Sequence, residues 1–297
     1  LDLYPGPVEA FTYDNELACL PTNASSTVAY VNEDLFARAD VTLPDNDWTW
    51  TDLEAAAKAL DAKDIPAVGF DVGVRLVAPF VWTAGGEIVD DTADPTRTTL
   101  DTAPGRRALS YLIGLQAYGV DATARAAADP ADQFAAGRLA IYFDSRRAVP
   151  GFRKADLAFD VRPLPRAAAA RPSASLLASD AYCVATASKS PRLAASLARF
   201  AAGGEGATVL ARSGRTVPAL RPLAQSEAFL DPGQRPRSSQ VFLDVLPDLR
   251  RLPNVAVEDE AEELADDLLT QLFAGKAGLE QTAAAVDAAT AEVYGRG

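Results

Sequence analysis

Short apolar stretches recur along the chain and predict buried β-strands. VAYV (28–31) alternates with a period of two, which is the pattern of a strand. IPAVGFD (65–71), RLAIYF (138–143) and FDVRPLP (159–165) are apolar runs bounded by turn residues or prolines. TTLD (98–101) predicts one further brief strand. The segments between these strands follow a different period.

Those intervening segments carry apolar residues at helical spacing, with recognisable start and stop signals. Asn32 begins a short helix as its N-cap, and Thr49 caps a stronger one. Asp52 lies three positions after Thr49, which is a capping-box arrangement. A later helix is expected to end at Gly85-Gly86, because glycine favours helix C-termini. Alternation of strands and helices predicts an α/β fold, followed by a nearly all-helical C-terminus.

Length, composition and charge narrow the class of protein. The chain has 297 residues and is 48% hydrophobic, which suits one large domain or two lobes of ordinary size. Every long apolar run is broken by charge or glycine, so no membrane-spanning segment is predicted. The net charge of −13 and the lack of a basic stripe argue against nucleic acid as a partner.

The residue types present exclude most enzyme chemistry. The sequence contains no histidine, which removes His-based triads and His metal ligation. It also lacks GxSxG, GxGxxG, P-loop and SxxK motifs. We therefore expect no catalytic residues, no metal and no cofactor. A paired-carboxylate glycosidase stays conceivable, although acidic runs such as EDEAEE (258–263) are interpreted as solvated helix starts.

The two cysteines, Cys19 and Cys183, have no metal-type spacing. They could pair in an oxidising compartment, but the sequence favours two buried free thiols.

Aromatic residues lie beside polar residues at several predicted loop ends. The aromatics are Phe80, Trp82 and Tyr142, the last within the stretch 142–147, and the loop 23–26 adds polar side chains. Sugars have apolar C–H faces and rims of hydroxyls, so a site for them needs flat aromatic surfaces and convergent hydrogen-bonding side chains. These positions therefore predict a carbohydrate site.

Seven stretches in order resemble the family 1 extracellular solute-binding proteins, relatives of maltose-binding protein. They cover almost the whole chain: 10–36, 47–60, 79–91, 134–153, 159–165, 179–200 and 213–219. The most distinctive are DWTWTDLEAAAKAL and FAAGRLAIYFDSRRAVPGFR. Any one stretch is weak evidence, but their common order is strong.

The resemblance implies a two-lobed clamp of the type II periplasmic-binding-protein fold. Its chain would cross between the lobes near residues 23–28, 144–163 and 216–222. Residues 1–27 and 160–218 would form lobe one, and residues 28–159 and 219–297 would form lobe two. Family members carry a signal peptide and further βαβ units before the part that matches Leu1. Lobe one is therefore expected to be incomplete, with an exposed sheet edge.

The same resemblance implies a set of ligand-binding residues, some at the crossings and others in turns and on a helix that face the cleft. They are Asn23, Ser25, Phe80, Trp82, Asp144, Arg147, Ser179, Asp180 and Arg215. For each, a structural role is the alternative: core packing for the aromatics, capping for the short polar residues, and an exposed or hinge-pinning role for the arginines. Relatives often carry a stacking aromatic where this chain has Arg147, which weakens the expectation of a neutral sugar and favours testing an acidic one.

The predicted function is capture of a mono- or oligosaccharide outside the cell, for delivery to an ABC-type membrane permease. The resemblance implies a monomer that is a membrane-anchored lipoprotein in its full-length form. Three alternatives stay open. One is the same fold with a polyamine, osmolyte or peptide as ligand, another is a truncated, non-binding surface protein, and the third is the glycosidase.

Overall fold

The computed structural model describes residues 1–119 and 129–296. The strands are β1 Thr12–Tyr13, β2 Glu16–Leu17, β3 Cys19–Pro21, β4 Ser25–Ser26, β5 Val28–Asn32, β6 Val68–Gly69, β7 Ile141–Asp144, β8 Phe159–Arg162, β9 Ser175–Ala178, β10 Ala181–Cys183 and β11 Leu249–Arg250. The helices are α1 Pro5–Ala10, α2 Glu33–Ala39, α3 Trp50–Asp61, α4 Val74–Thr83, α5 Ala103–Leu115, α6 Pro130–Ala135, α7 Val149–Lys154, α8 Pro191–Ala202, α9 Gly204–Arg212, α10 Arg221–Ala224, α11 Glu227–Leu230, α12 Val241–Asp244, α13 Glu258–Phe273 and α14 Leu279–Tyr294.

The largest sheet has the strand order β6-β7-β5-β8 and is buried on both faces. All five residues of β5 are buried. Because side chains alternate along a strand, Ala29 and Val31 join one apolar cluster, while Val28 and Tyr30 join another on the opposite face. Helices cover both faces, which confirms the α/β class and explains why this strand contains no exposed polar position.

The sheet pairing bears on the expected division into lobes. β8 pairs antiparallel with β5 over Phe159–Arg162. The boundary that the sequence puts at residue 160 therefore falls inside this sheet. The small sheet β10-β3 contains only segments expected in lobe one, whereas the sheet β11-β9-β4 joins such segments to β11, which was expected in lobe two.

The predicted helix signals are confirmed. The Asn32 side chain accepts a hydrogen bond from the Leu35 amide at 3.1 Å. Thr49 and Asp52 form the reciprocal capping box. Helix α4 ends at Thr83, and Gly85 follows with a φ of +88°, a conformation that glycine adopts without strain.

The strand expected at 98–101 was a wrong prediction. Thr98 makes only an isolated bridge with Val89. The amides of Leu100 and Asp101 instead donate to the carboxylate of Asp287 on α14, at 2.8 and 2.9 Å. The Asp287 carboxylate thus accepts hydrogen bonds from backbone amides that would otherwise pair with a neighbouring strand.

The expectation of two free thiols was also wrong, because Cys19 and Cys183 form a disulfide. They occupy directly opposed positions of β3 and β10, with Cα atoms 4.4 Å apart. The strand register brings the two sulfurs together across 164 residues of sequence.

Helix α8 turns an apolar stripe towards solvent. Leu193, Leu197 and Phe200 follow one another at helical spacing and are 57–72% exposed, whereas Ala198 and Ala202 are buried. The helix therefore packs on its small residues and leaves its large ones at the surface.

Candidate functional site

A cleft of about 590 Å³ opens where several distant chain segments meet. The first crossing contributes Ser25, the β7 end contributes Ser145 and Arg147, and the β9–β10 turn contributes Ser179 and Asp180. The segment after α9 contributes Arg215 and Thr216. These separate segments converge on one cleft, which brings together Ser25, Arg147, Ser179, Asp180 and Arg215.

Asn23 lies behind this surface and joins the first crossing to the β9–β10 turn. Its side chain is buried and donates to the Asp180 carboxylate at 2.6 Å. The Asp180 amide donates to the Asn23 side-chain oxygen at 3.3 Å, and the Ser179 hydroxyl donates to the Asn23 carbonyl at 2.5 Å. Asn23 therefore orients Ser179 and Asp180, which themselves line the cleft.

Asp144, like Asn23, lies behind the cleft surface and contacts a residue that lines it, Arg147. Its carboxylate accepts hydrogen bonds from the Ser145 amide at 2.6 Å and from the Arg147 guanidinium at 3.2 Å. The Tyr142 hydroxyl lies 3.4 Å away and donates to Asp71 at 2.8 Å. Burial raises the pKa of Asp144 from its ordinary value, against the opposing effect of the Ser145 amide. Asp144 does not itself line the cleft.

Arg146 is fully buried between Arg147 and the core. Its guanidinium donates to the carbonyl of Gly214 at 3.1 Å, the carbonyl of Phe229 at 3.2 Å and the hydroxyl of Ser239 at 3.3 Å. It also lies 4.1 Å from the Phe229 ring centroid. Burial lowers its pKa to about 10, so it stays charged at neutral pH. The side chain ties the β7 end to the segment that carries Arg215.

Phe80 and Trp82 lie in the core and do not line the cleft. Phe80 is 1% exposed and packs against Trp50 and Phe143. Trp82 is 3% exposed, with the Arg250 guanidinium 4.9 Å from its ring centroid. Both aromatic side chains of α4 therefore pack in the hydrophobic core. The aromatic side chain that lines the cleft is Phe11, which the sequence reasoning did not select.

Sequence reasoning also missed the cleft wall built by α4 and α13. Arg75 donates to both carboxylate oxygens of Glu262, at 2.5 and 2.9 Å. Glu258 accepts from the Tyr294 hydroxyl at 3.0 Å, and burial raises its pKa to about 7. The interpretation of EDEAEE as a purely solvated helix start was therefore wrong for Glu258 and Glu262, which face the cleft. Only their distant partners on α4 and α14 would have revealed this.

Over residues 1–119 and 129–296, no cluster of three or more acidic or cysteine side chains is arranged to hold a metal ion. None of the helices described is both long enough and apolar enough to cross a membrane.

Comparison with known proteins places this geometry in a family. A model of the bacterial extracellular solute-binding proteins matches residues 2–236. No curated protein sequence matches the chain.

Solved structures share the fold at low sequence identity. An ABC substrate-binding protein from Listeria monocytogenes in complex with cycloalternan is 22% identical, with a TM-score of 0.89 over 99% of this chain and 76% of that one. The cyclic α-maltosyl-1,6-maltose binding protein of Arthrobacter globiformis is 19% identical, with a TM-score of 0.81 over 100% and 77%. An ABC transporter solute-binding protein from Thermotoga lettingae, bound with α-D-tagatose, is 17% identical, with a TM-score of 0.83 over 99% and 76%.

The chain thus spans about three quarters of each of these structures and has their fold. Since the family model matches more than half of its residues, the chain belongs to the bacterial extracellular solute-binding protein family.

Proposed function

We propose that the chain captures a carbohydrate in the cleft and delivers it to the membrane permease of an ABC-type importer. The observation that carries this proposal is the convergence of Ser25, Ser179, Asp180, Arg215 and Thr216 from separate segments on one cleft. Hydroxyl, carboxylate and guanidinium groups are the partners that sugar hydroxyls need. The names of the three solved structures, each with a saccharide as its ligand, support the same ligand class.

Capture works by a shift in population and involves no covalent step. A ligand that contacts both walls of the cleft makes all its contacts only when the cleft is closed. It therefore stabilises the closed state by the difference between its affinities for the two states. In this proposal Asn23 and Asp144 act on the ligand through the cleft residues they orient, and Phe11 offers a face to the apolar side of a sugar ring.

The proposed localisation is outside the cytoplasmic membrane, as the family description indicates. The monomeric state and the lipid anchor of the full-length form are part of the same proposal. The permease is its partner, and no nucleic acid takes part.

Thermal unfolding tests the proposal directly. The chain is unfolded with a panel of neutral mono-, di- and oligosaccharides, an acidic saccharide and a polyamine. A ligand at a hundredfold excess over its dissociation constant stabilises the native state by about 2.7 kcal/mol, which raises the unfolding midpoint. A saccharide is expected to give this shift, and a polyamine is not.

Asp180→Ala is expected to reduce the shift, because loss of a charge-assisted hydrogen bond weakens binding by about 1.5–3 kcal/mol. Asp61→Ala, an exposed carboxylate at the end of α3, is the matched control that retains it. If every saccharide leaves the midpoint unchanged, the proposal is wrong.

A further inference from the structure

Two arginines reach the cleft from different crossings and form its basic floor. Arg147 follows β7, and Arg215 follows α9. The buried guanidinium of Arg146 donates to the Gly214 carbonyl at 3.1 Å, and these two residues precede Arg147 and Arg215 in the chain. The bond between Arg146 and Gly214 therefore fixes the backbones that carry both arginines. The positions of Arg147 and Arg215 in the basic floor are thus held by a buried hydrogen bond.

The charges of the basic floor are largely uncommitted. Arg215 is exposed, and its guanidinium has no hydrogen bond or ion pair among residues 1–119 and 129–296. The Arg147 side chain is 66% exposed and binds Asp144 through Nε alone, at 3.2 Å. Several N–H donors of each guanidinium thus point to no protein acceptor and are free to bind a ligand.

Three of the four acidic residues that line the cleft are already engaged, and the fourth, Asp259, lies on α13 beside Glu258. Asp180 accepts from the Asn23 amide at 2.6 Å. Glu262 is paired with Arg75 of α4, and Glu258 accepts from the Tyr294 hydroxyl. The cleft therefore has a cationic end at the crossings, although the whole chain carries a net charge of −13.

We propose that the carbohydrate bound here carries a carboxylate, as in a saccharide of uronic acids, and that Arg147 and Arg215 receive that carboxylate. This inference rests on the proposed function and names the substrate class of the same site. Closure of the cleft removes water from Arg215, and a desolvated cation is costly unless it is paired. A guanidinium and a carboxylate match in shape and form two parallel hydrogen bonds, which a neutral hydroxyl cannot reproduce.

Calorimetric titration of the whole chain tests the inference with a matched pair of ligands. Digalacturonate is compared with galactobiose of the same linkage, in which a hydroxymethyl group replaces each carboxylate. The acidic disaccharide is expected to bind at least tenfold more tightly. Its affinity is expected to fall as salt is raised, because the arginines are partly exposed.

Arg215→Gln and Arg147→Gln are each expected to weaken digalacturonate binding by about 10- to 100-fold, the value of a charge-assisted hydrogen bond. Arg192→Gln, at the exposed start of α8, is the control that retains wild-type affinity. Far-ultraviolet circular dichroism verifies that each variant is folded.

The outcomes separate this inference from the proposed function. Equal or tighter binding of galactobiose, or full retention of digalacturonate affinity in Arg215→Gln, overturns the inference and leaves carbohydrate capture standing. Absence of binding to both disaccharides also overturns the inference. If every saccharide in the unfolding panel is inert as well, the proposed function fails with it.

Discussion

Replacement of the buried Arg146 by methionine probes how the crossings are held together. Methionine keeps much of the apolar volume but leaves the carbonyls of Gly214 and Phe229 without their donor. Each orphaned buried carbonyl costs about 1–3 kcal/mol. Loss of the guanidinium contact with the Phe229 ring costs about 1–2 kcal/mol more. The total loss is on the order of 3–8 kcal/mol.

A gain opposes this loss, because methionine removes a buried cation. Burial lowers the Arg146 pKa from its ordinary value to about 10, which corresponds to about 3 kcal/mol. The expected net effect of Arg146→Met is therefore destabilisation by up to about 5 kcal/mol. Urea unfolding monitored by circular dichroism measures it as a lower midpoint with an unchanged denaturant dependence.

Arg147→Met is the matched control, since its side chain is 66% exposed on the next residue. Its ion pair with Asp144 is exposed on the arginine side and is expected to be worth about 1 kcal/mol, so its midpoint is expected to stay closer to the wild-type value than that of Arg146→Met. A midpoint for Arg146→Met equal to or above the wild-type value would refute the reasoning, because burial of the cation would then cost more than its three hydrogen bonds contribute.

Reduction of the Cys19–Cys183 disulfide, or its replacement by two serines, is expected to lower the free energy of unfolding. The chain-entropy model gives about 5 kcal/mol for a loop of this length, and measured effects are typically 2–4 kcal/mol; an unchanged urea midpoint under reductant would contradict this. Burial raises the pKa of Glu258 from 4.5 to about 7, so the native state holds a proton that the unfolded chain releases. Stability is therefore expected to fall as pH rises from about 4.5 through 7, by less than the roughly 3 kcal/mol of the full shift, because Glu258 is partly exposed and water screens its charge. Unfolding midpoints against pH should lose this fall in Glu258→Gln and keep it in the neighbouring Asp259→Asn; equal curves for both variants would count against it. Trp82→Ala is expected to cost about 3–5 kcal/mol as a core truncation. A variant that loses carbohydrate binding at full stability would instead show that Trp82 contacts the ligand.

The features predicted correctly from the sequence depend on neighbours within a few residues. The cap at Asn32 and the box of Thr49 with Asp52 are complete within one helical turn. The alternation in VAYV fixes the two faces of β5 without reference to its partner strands. Such signals are visible in the sequence because all interacting groups lie in one short segment.

The features that were missed depend on residues far apart in the chain. The disulfide follows from the register of β3 with β10, across 164 residues. Glu258 faces the cleft because α13 packs against α14, and its charge responds to Tyr294 and Arg75. No periodicity in a single segment reports such contacts, so only the fold could reveal them.

The aromatics illustrate the same limit for the candidate site. Phe80 and Trp82 are predicted from the sequence as ligand contacts, yet the apolar face of α4 turns both into the core. Phe11 reaches the cleft from the end of α1, a segment with no distinctive pattern. Position along a helix tells which residues share a face, but not which element that face will meet.

The most direct test of the account is a crystal structure of the chain grown with the saccharide that gives the largest rise in unfolding midpoint. The account predicts the saccharide in the cleft, in contact with Ser179, Asp180 and Arg215. A saccharide bound elsewhere on the surface, with the cleft holding only water, would contradict it.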